Sequence, residues 1–268
     1  PYRRQRQMCI RDRFCVVLAI PAVFYNLSDL ILGQSDKVML QQMMDEATVG
    51  CYGAALNFGG IMFTLFTALN NSWCPFFFED MKQGNRENLR EKAGNFLELF
   101  TVLSVGFVLL ASEVYRYVYV SRDFWGSTML IPIFVSSYYT NFLCTFPVNF
   151  EYYHKKTKVV SIITIVSSLI NVGLNYLLIL RIGMAGAAVA TLISHSLQLT
   201  LHYLYVRFAL GGKEYPFPLK MWVGYAAVFA AVAVASVAAD GLWLARWGLG
   251  AAVGLWELLR IRKRKVLI

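Results

Sequence analysis

Eight long apolar stretches, separated by short charged connections, occupy almost everything after residue 13. A hydrocarbon core about 30 Å thick needs roughly 20 apolar residues per helical crossing. Windows of that kind fall at 14–33, 48–72, 93–118, 127–150, 158–180, 183–206, 219–239 and 241–259. The expected fold is therefore all-α, a polytopic transmembrane helix bundle of about eight helices. Charged residues make up 15% of the chain and hydrophobic residues 57%. An ordinary soluble domain carries about 25% charged residues, so there is too little polar surface here to cover a soluble globule. Tyr115, Tyr117, Tyr119 and Trp125 flank one connection, and Tyr215 and Trp222 another, as aromatic residues do at headgroup level.

The net charge of +9 is spread along the chain in a pattern that argues against nucleic acid as a partner. If residues 1–13 face the cytoplasm and each window crosses once, only Lys37, Arg116, Arg122, Arg181 and Arg246 fall outside. The other 20 of the 25 Lys and Arg fall inside. This bias follows the positive-inside rule and predicts a multi-pass protein of a bacterial cytoplasmic (inner) membrane with both termini cytoplasmic. The cluster from Arg260 to Lys265 reads as a basic tail that anchors the last helix beside anionic headgroups.

No catalytic signature is present: there is no nucleophile elbow, HExxH or phosphate-cradling glycine loop. The outer connections are too short to build an active site, so no enzyme and no cofactor are expected. The five cysteines, Cys9, Cys15, Cys51, Cys74 and Cys144, lack CxxC or Cys/His spacing. They read as small packing residues, with neither disulfide nor metal.

Residues 1–13, PYRRQRQMCIRDR, differ from everything that follows and are expected to be translated adapter sequence or a disordered leader. The first helix is expected from Phe14 and runs into a short amphipathic piece, SDKVMLQQMM. The second is expected to stop at Trp73-Cys74-Pro75, ahead of a mixed-charge loop, and the fourth at Pro147. Only RIGMAG separates the fifth and sixth, where Gly183, Gly186 and Ala190 give a small-residue contact surface. The domain reading is a six-helix lobe at 14–206, two peripheral, lipid-facing helices at 207–259 that are rich in Ala, Val and Gly, and a tail at 260–268.

Polar groups within a bilayer are costly and normally face a cavity or a partner. Asn26, Asp29 and Gly33 share one face of the first helix. Asp29 reads either as a protonatable or cation-binding carboxylate lining a pathway or as a structural carboxylate bonded to a neighbouring helix. Asp36 and Lys37 read as an interfacial ion pair at the outer mouth. Asn57 stands among the glycines of the second helix. Glu98 is expected in the first turns of the third helix, where it complements the helix dipole, and Glu113 is expected to pair with Arg116. Ser167, Asn171 and Asn175 form a stripe through the fifth helix, suited to interhelical hydrogen bonds or to contact with a polar cargo. His195 and His202 share a face with Gln198 between them. Either packing or a titrating relay fits them, and two histidines make a poor metal site.

Three short patterns along residues 29–78 carry a resemblance: Ser35-Asp36-Lys37 after the first helix, Val49-Gly50-Cys51-Tyr52 entering the second, and Trp73-Cys74-Pro75 near its end. With NVGLNYLLILRIGMAGAAVAT at 171–191, they resemble the second half of polysaccharide-biosynthesis (O-antigen type) flippases of the multidrug/oligosaccharidyl-lipid/polysaccharide exporter superfamily. The resemblance covers 14 to about 210, and the last two helices by topology alone. It implies helices seven to fourteen of a fourteen-helix transporter, with a six-helix lobe expected upstream as partner. It also implies a cargo of lipid-linked oligosaccharide on an undecaprenyl-pyrophosphate carrier, taken from surrounding lipid, with H+ or Na+ as coupling ion. A cation-coupled multidrug antiporter of the same superfamily and a membrane glycan polymerase or ligase are the competing readings. Under the first, the candidate cavity residues are Asn26, Asp29, Asp36, Lys37, Asn57, Asn171, Asn175 and His195.

Overall fold

Helices in this chain run well past their apolar windows, because several connections between them span only one to three residues. The computed structural model describes residues 2–210, 214–238 and 242–264, with side chains from residue 20 onward apart from 21, 22, 29, 253, 254 and 256–264. The elements are α1 (Tyr2–Met43), α2 (Glu46–Gln83), α3 (Arg86–Val118), α4 (Leu130–Tyr153), α5 (Thr157–Ile182), α6 (Met184–Phe208), α7 (Leu219–Ala238) and α8 (Trp243–Arg264). A 3-10 turn, Arg122–Ser127, lies between α3 and α4, and no strand occurs among the described residues.

Several boundaries differ from expectation. The backbone of residues 2–13 is the start of α1, and residues 35–43 continue that helix instead of forming a separate piece. Asp45 then caps α2: the Thr48 hydroxyl donates to Oδ1 at 2.7 Å and the Thr48 N–H to Oδ2 at 3.2 Å. These two bonds hold the Asp45 carboxyl below its ordinary range. α2 passes through Pro75 and ends at Gly84, whose φ of 70° lets its N–H reach back to the carbonyls of Asp80 and Met81. Asn85 then caps α3, so the expected loop is a hairpin. Buried Asp80 locks it, accepting from Lys92 Nζ at 2.9 Å and Asn88 Nδ2 at 3.2 Å. Because α3 begins at Arg86, Glu98 sits four turns in and buried, too deep for the helix dipole to explain it. α4 likewise continues through Pro147 to Tyr153.

Among the described residues, α2, α3, α5, α6 and α7 are long and apolar enough to cross a membrane. α4 falls outside that set because Ser, Thr, Tyr and Asn interrupt its apolar run. It can carry them because it is the central helix, packed by α2, α3, α5, α6 and α7. The distribution of polarity is inverted relative to a soluble protein. On α5, Ser167, Asn171 and Asn175 are 0% exposed, whereas Leu169, Leu177 and Leu180 on the opposite face are 60–67% exposed. This is a helical membrane bundle, multi-pass by construction.

Aromatic side chains fill the bundle around α4. Phe142 meets Phe100 of α3 at 4.2 Å, Tyr139 stacks on Phe229 of α7 at 4.3 Å, and Phe146 meets Phe217 at 5.1 Å. Pairs of this kind contribute about 0.5–1.5 kcal/mol each beyond buried area, which matters where lipid supplies no hydrophobic drive between helices. α7 and α8 are therefore more than lipid-facing helices. Trp222 of α7 is buried, and Arg246 of α8 is buried against α3, where Nη2 donates to the Leu109 carbonyl at 3.0 Å and Nη1 lies 3.3 Å from Glu113. Glu113 thus finds its ion pair across helices, and Arg116 lies over the Trp125 ring. Cys9, Cys15 and the tail at 260–268 have side chains outside the described residues; Cys51, Cys74 and Cys144 form no disulfide.

The α5–α6 turn brings the two backbones together at Gly186. A Cβ at Gly186 would lie 2.3 Å from the carbonyl oxygen of Leu178, so only glycine fits. We predict that Gly186→Val lowers stability in detergent by roughly 1–3 kcal/mol or more, as overpacking does. Gly173→Ala, where nothing lies within 4 Å of the added Cβ, should stay near wild type. Equal thermal unfolding midpoints for the two variants would contradict this packing.

Candidate cargo cavity

Because α1 does not break at Gly33, every fourth residue from Ser28 through Leu32 and Asp36 to Leu40 turns inward, and all four are buried. That register brings Asp36 against α2. The Tyr52 hydroxyl donates to Asp36 Oδ2, and the Lys37 backbone N–H donates to Oδ1 at 2.8 Å. The Asp36 carboxyl is taken up by this α1–α2 tie, and the charge of the Lys37 ammonium acts on it through space, not as a close hydrogen-bonded pair.

Beside the tie lies a cavity of about 560 Å³ walled by α1, α2, α4 and α6. Of the candidate residues, Asp36, Lys37, Asn57 and His195 line it. So do Gln34, Thr64, Tyr138 and Asn141, which sequence reasoning did not single out. A signal for the last two exists: Ser136 to Asn141 is a six-residue polar run in the middle of an otherwise apolar helix. His195 Nδ1 is 3.2 Å from the Ser137 carbonyl, so the imidazole both lines the cavity and ties α6 to α4. The Phe63 and Tyr138 rings, 5.5 Å apart, form an aromatic wall.

Asn26, Asn171 and Asn175 lie elsewhere. Asn171 and Asn175 do not line the cavity. Asn171 Oδ1 accepts from the Ser35 hydroxyl at 2.8 Å and from Asn175 Nδ2 at 3.0 Å, so the stripe joins α5 to α1 as an interhelical network. Asn26 is exposed on α1 away from the cavity lining. The side chain of Asp29 lies outside the described residues. His202, two turns along α6 from His195, is fully buried and bonded to Glu151 of α4 at 2.9 Å. No group of His, Cys, Asp and Glu that could hold a metal occurs among the described residues.

Comparison with known proteins places this geometry in context. No family model matches the sequence. An uncharacterized membrane protein of Haemophilus influenzae is 25% identical over 152 residues, which is 56% of this chain and 38% of that protein. Among solved structures, the outward-facing conformation of a multidrug resistance MATE family transporter of the MOP superfamily superposes with a TM-score of 0.54. The identity is 15%, over 83% of this chain and 52% of that one. The likeness is one of fold alone: the chain superposes on about half of that transporter. The chain spans about half the length of that structure and 38% of its membrane-protein relative.

The Asp36–Tyr52 tie is open to direct test. Removing the hydroxyl leaves a buried carboxylate oxygen without its donor, which costs about 1–3 kcal/mol. Tyr52→Phe is expected to lower the unfolding midpoint accordingly. The double variant Tyr52→Phe/Asp36→Asn should lose less than the sum of the single losses, since contacting groups are not additive. Strict additivity in thermal unfolding would show that the two side chains do not interact.

Proposed function

We propose that this chain is one lobe of a transporter that flips a lipid-linked oligosaccharide, of the undecaprenyl-pyrophosphate type, from the cytoplasmic to the outer leaflet for cell-surface polysaccharide biosynthesis. The observation that carries the reading is the cavity lining. It combines neutral hydrogen-bonding groups (Gln34, Asn57, Thr64, Asn141 and Thr191), the Phe63–Tyr138 wall and an ammonium, that of Lys37. Amides and hydroxyls match sugar hydroxyls, aromatic faces match the apolar faces of sugar rings, and an ammonium matches a pyrophosphate oxygen through a charge-assisted bond. The exposed apolar faces of α1 and α5 leave the lipid tail in hydrocarbon. Rocking of two lobes about a polar passage then moves the glycan without chemistry. In this reading the end with the Lys155–Lys156 turn faces the cytoplasm, following the positive-inside bias.

The name of the solved neighbour supports a second reading, export of cationic drugs. Against it stands the state of the cavity carboxylate: Asp36 is occupied by Tyr52 and the Lys37 amide, and the Lys37 ammonium shares the same space and repels cations. The two readings separate in proteoliposomes of the full-length protein. Lys37→Ala is expected to cut transfer of a polyprenyl-pyrophosphate oligosaccharide about tenfold, the effect of losing roughly 1.4 kcal/mol of transition-state binding. Lipophilic cations are expected not to compete. Cation efflux with no glycolipid transfer would overturn the proposal in favour of drug export.

A further inference from the structure

A buried pair of ionisable side chains lies away from the cavity. At the basic end, Glu151 of α4 and His202 of α6 meet through Oε1 and Nδ1 at 2.9 Å, and both side chains are 0% exposed. Their outer atoms, Glu151 Oε2 and His202 Nε2, find no hydrogen-bond partner among the described residues. A buried pair with spare hydrogen-bonding capacity on both members is costly. The helices it joins both wall the cavity: α4 supplies Ser137, Tyr138 and Asn141, and α6 supplies Thr191 and His195. Two ties therefore hold α4 to α6, one at the cavity (His195 to the Ser137 carbonyl) and one about two turns away (His202 to Glu151).

We infer that Glu151 and His202 form a proton-binding site that clamps α4 to α6 at the basic end and supplies the coupling ion of the transporter. The inference deepens the transport reading and, in its coupling role, rests on it. With the proton bound, imidazolium and carboxylate neutralise each other. When the proton leaves His202 for the aqueous phase at that end, the pair is left with one negative charge and a neutral imidazole. An uncompensated buried charge costs several kcal/mol, and separation of α4 from α6 with entry of water relieves it. α6 then pivots about the His195 tie, and the cavity wall moves with it.

Among the described residues, the ion pair that Glu151 makes is the one with His202. Tyr215, ahead of α7, packs on Phe150 at 5.1 Å; burial and, after Tyr203 and Cys144, the nearby Glu151 push its phenol up, so it stays neutral. Tyr203 lies on α6, and His154 packs on Phe150 at the end of α4. On α2, Asp80 is taken by Lys92, and the Met81 carbonyl accepts from Tyr153. Lys155, Lys156 and Lys158 at the α4–α5 turn are exposed, and Lys213 lies outside the described residues. A hard metal cation needs a shell of oxygens, whereas this pair offers a single uncommitted carboxylate oxygen beside an imidazole, so the ion it suits is H+.

The test uses the full-length protein in lipid nanodiscs and needs no cargo. Val206, fully buried one turn beyond His202 on α6, is replaced by cysteine in a cysteine-free background. Its thiol labelling is divided by that of Lys158→Cys, exposed at the same end. The ratio is expected to rise about tenfold or more between about pH 5 and about pH 9, and Glu151→Gln, which removes the charge, should flatten it. The protein has three histidines. In 15N-histidine spectra of the His154→Gln/His195→Gln protein, the remaining one should pass from doubly to singly protonated over the same interval. A pH-independent ratio, a rise that survives Glu151→Gln, or a His202 that holds one protonation state throughout would overturn the assignment. Failure of glycolipid transfer with this titration intact would count against the cargo reading alone.

Discussion

The bundle depends on turning its polar side chains inward and matching them there, because its outer face is hydrocarbon. Lipid offers no partner to an amide or a carboxylate, so each one must be met by another helix. Ser35 with Asn171 and Asn175, Tyr52 with Asp36, Thr101 with Tyr139, and Glu151 with His202 are all contacts of this kind. Individually such bonds are modest, about 0.6 kcal/mol on average in membrane helices. Their value lies in register. Each fixes the rotation of one helix against its neighbour in a setting where apolar surfaces alone slide freely.

α4 shows the consequence most clearly. It carries more hydroxyls and amides than its neighbours, and it is the helix least able to face lipid. Enclosure by α2, α3, α5, α6 and α7 keeps those groups from lipid, and its polar run at 136–141 then opens onto the cavity. The same rule explains Arg246. A guanidinium on an otherwise apolar helix is accommodated because Glu113 and the Leu109 carbonyl await it on α3, and that contact fastens α8 to the bundle.

Much of this was legible in the sequence. Helix number, order and the close α5–α6 contact follow from apolar length and small-residue spacing, both local properties of the chain. The helix ends were less legible, since Pro75 and Pro147 read as stops and the true stop signals, Gly84 and the turn at Lys155, act through backbone geometry. Half of the candidate site residues, Asp36, Lys37, Asn57 and His195, line the cavity. Asn171 and Asn175 do not, because a polar stripe at helical spacing looks the same whether it faces a cavity or another helix. Partner identity was out of reach for the same reason: Glu113 with Arg246 and Glu151 with His202 join positions 133 and 51 residues apart, and no local pattern announces either.

The account stands on an inverted bundle with a recess among α1, α2, α4 and α6 that carries Asn57, Thr64 and Asn141. Spin labels placed one at a time at Asn57 and Thr64 in the recess, and at Leu169 and Leu177 on the outer face of α5, test it most directly. The account predicts that a water-soluble nickel relaxant reaches the first two labels, while only dissolved oxygen relaxes the second two. Nickel access at Leu169 and Leu177, or its exclusion from Asn57 and Thr64, would contradict it.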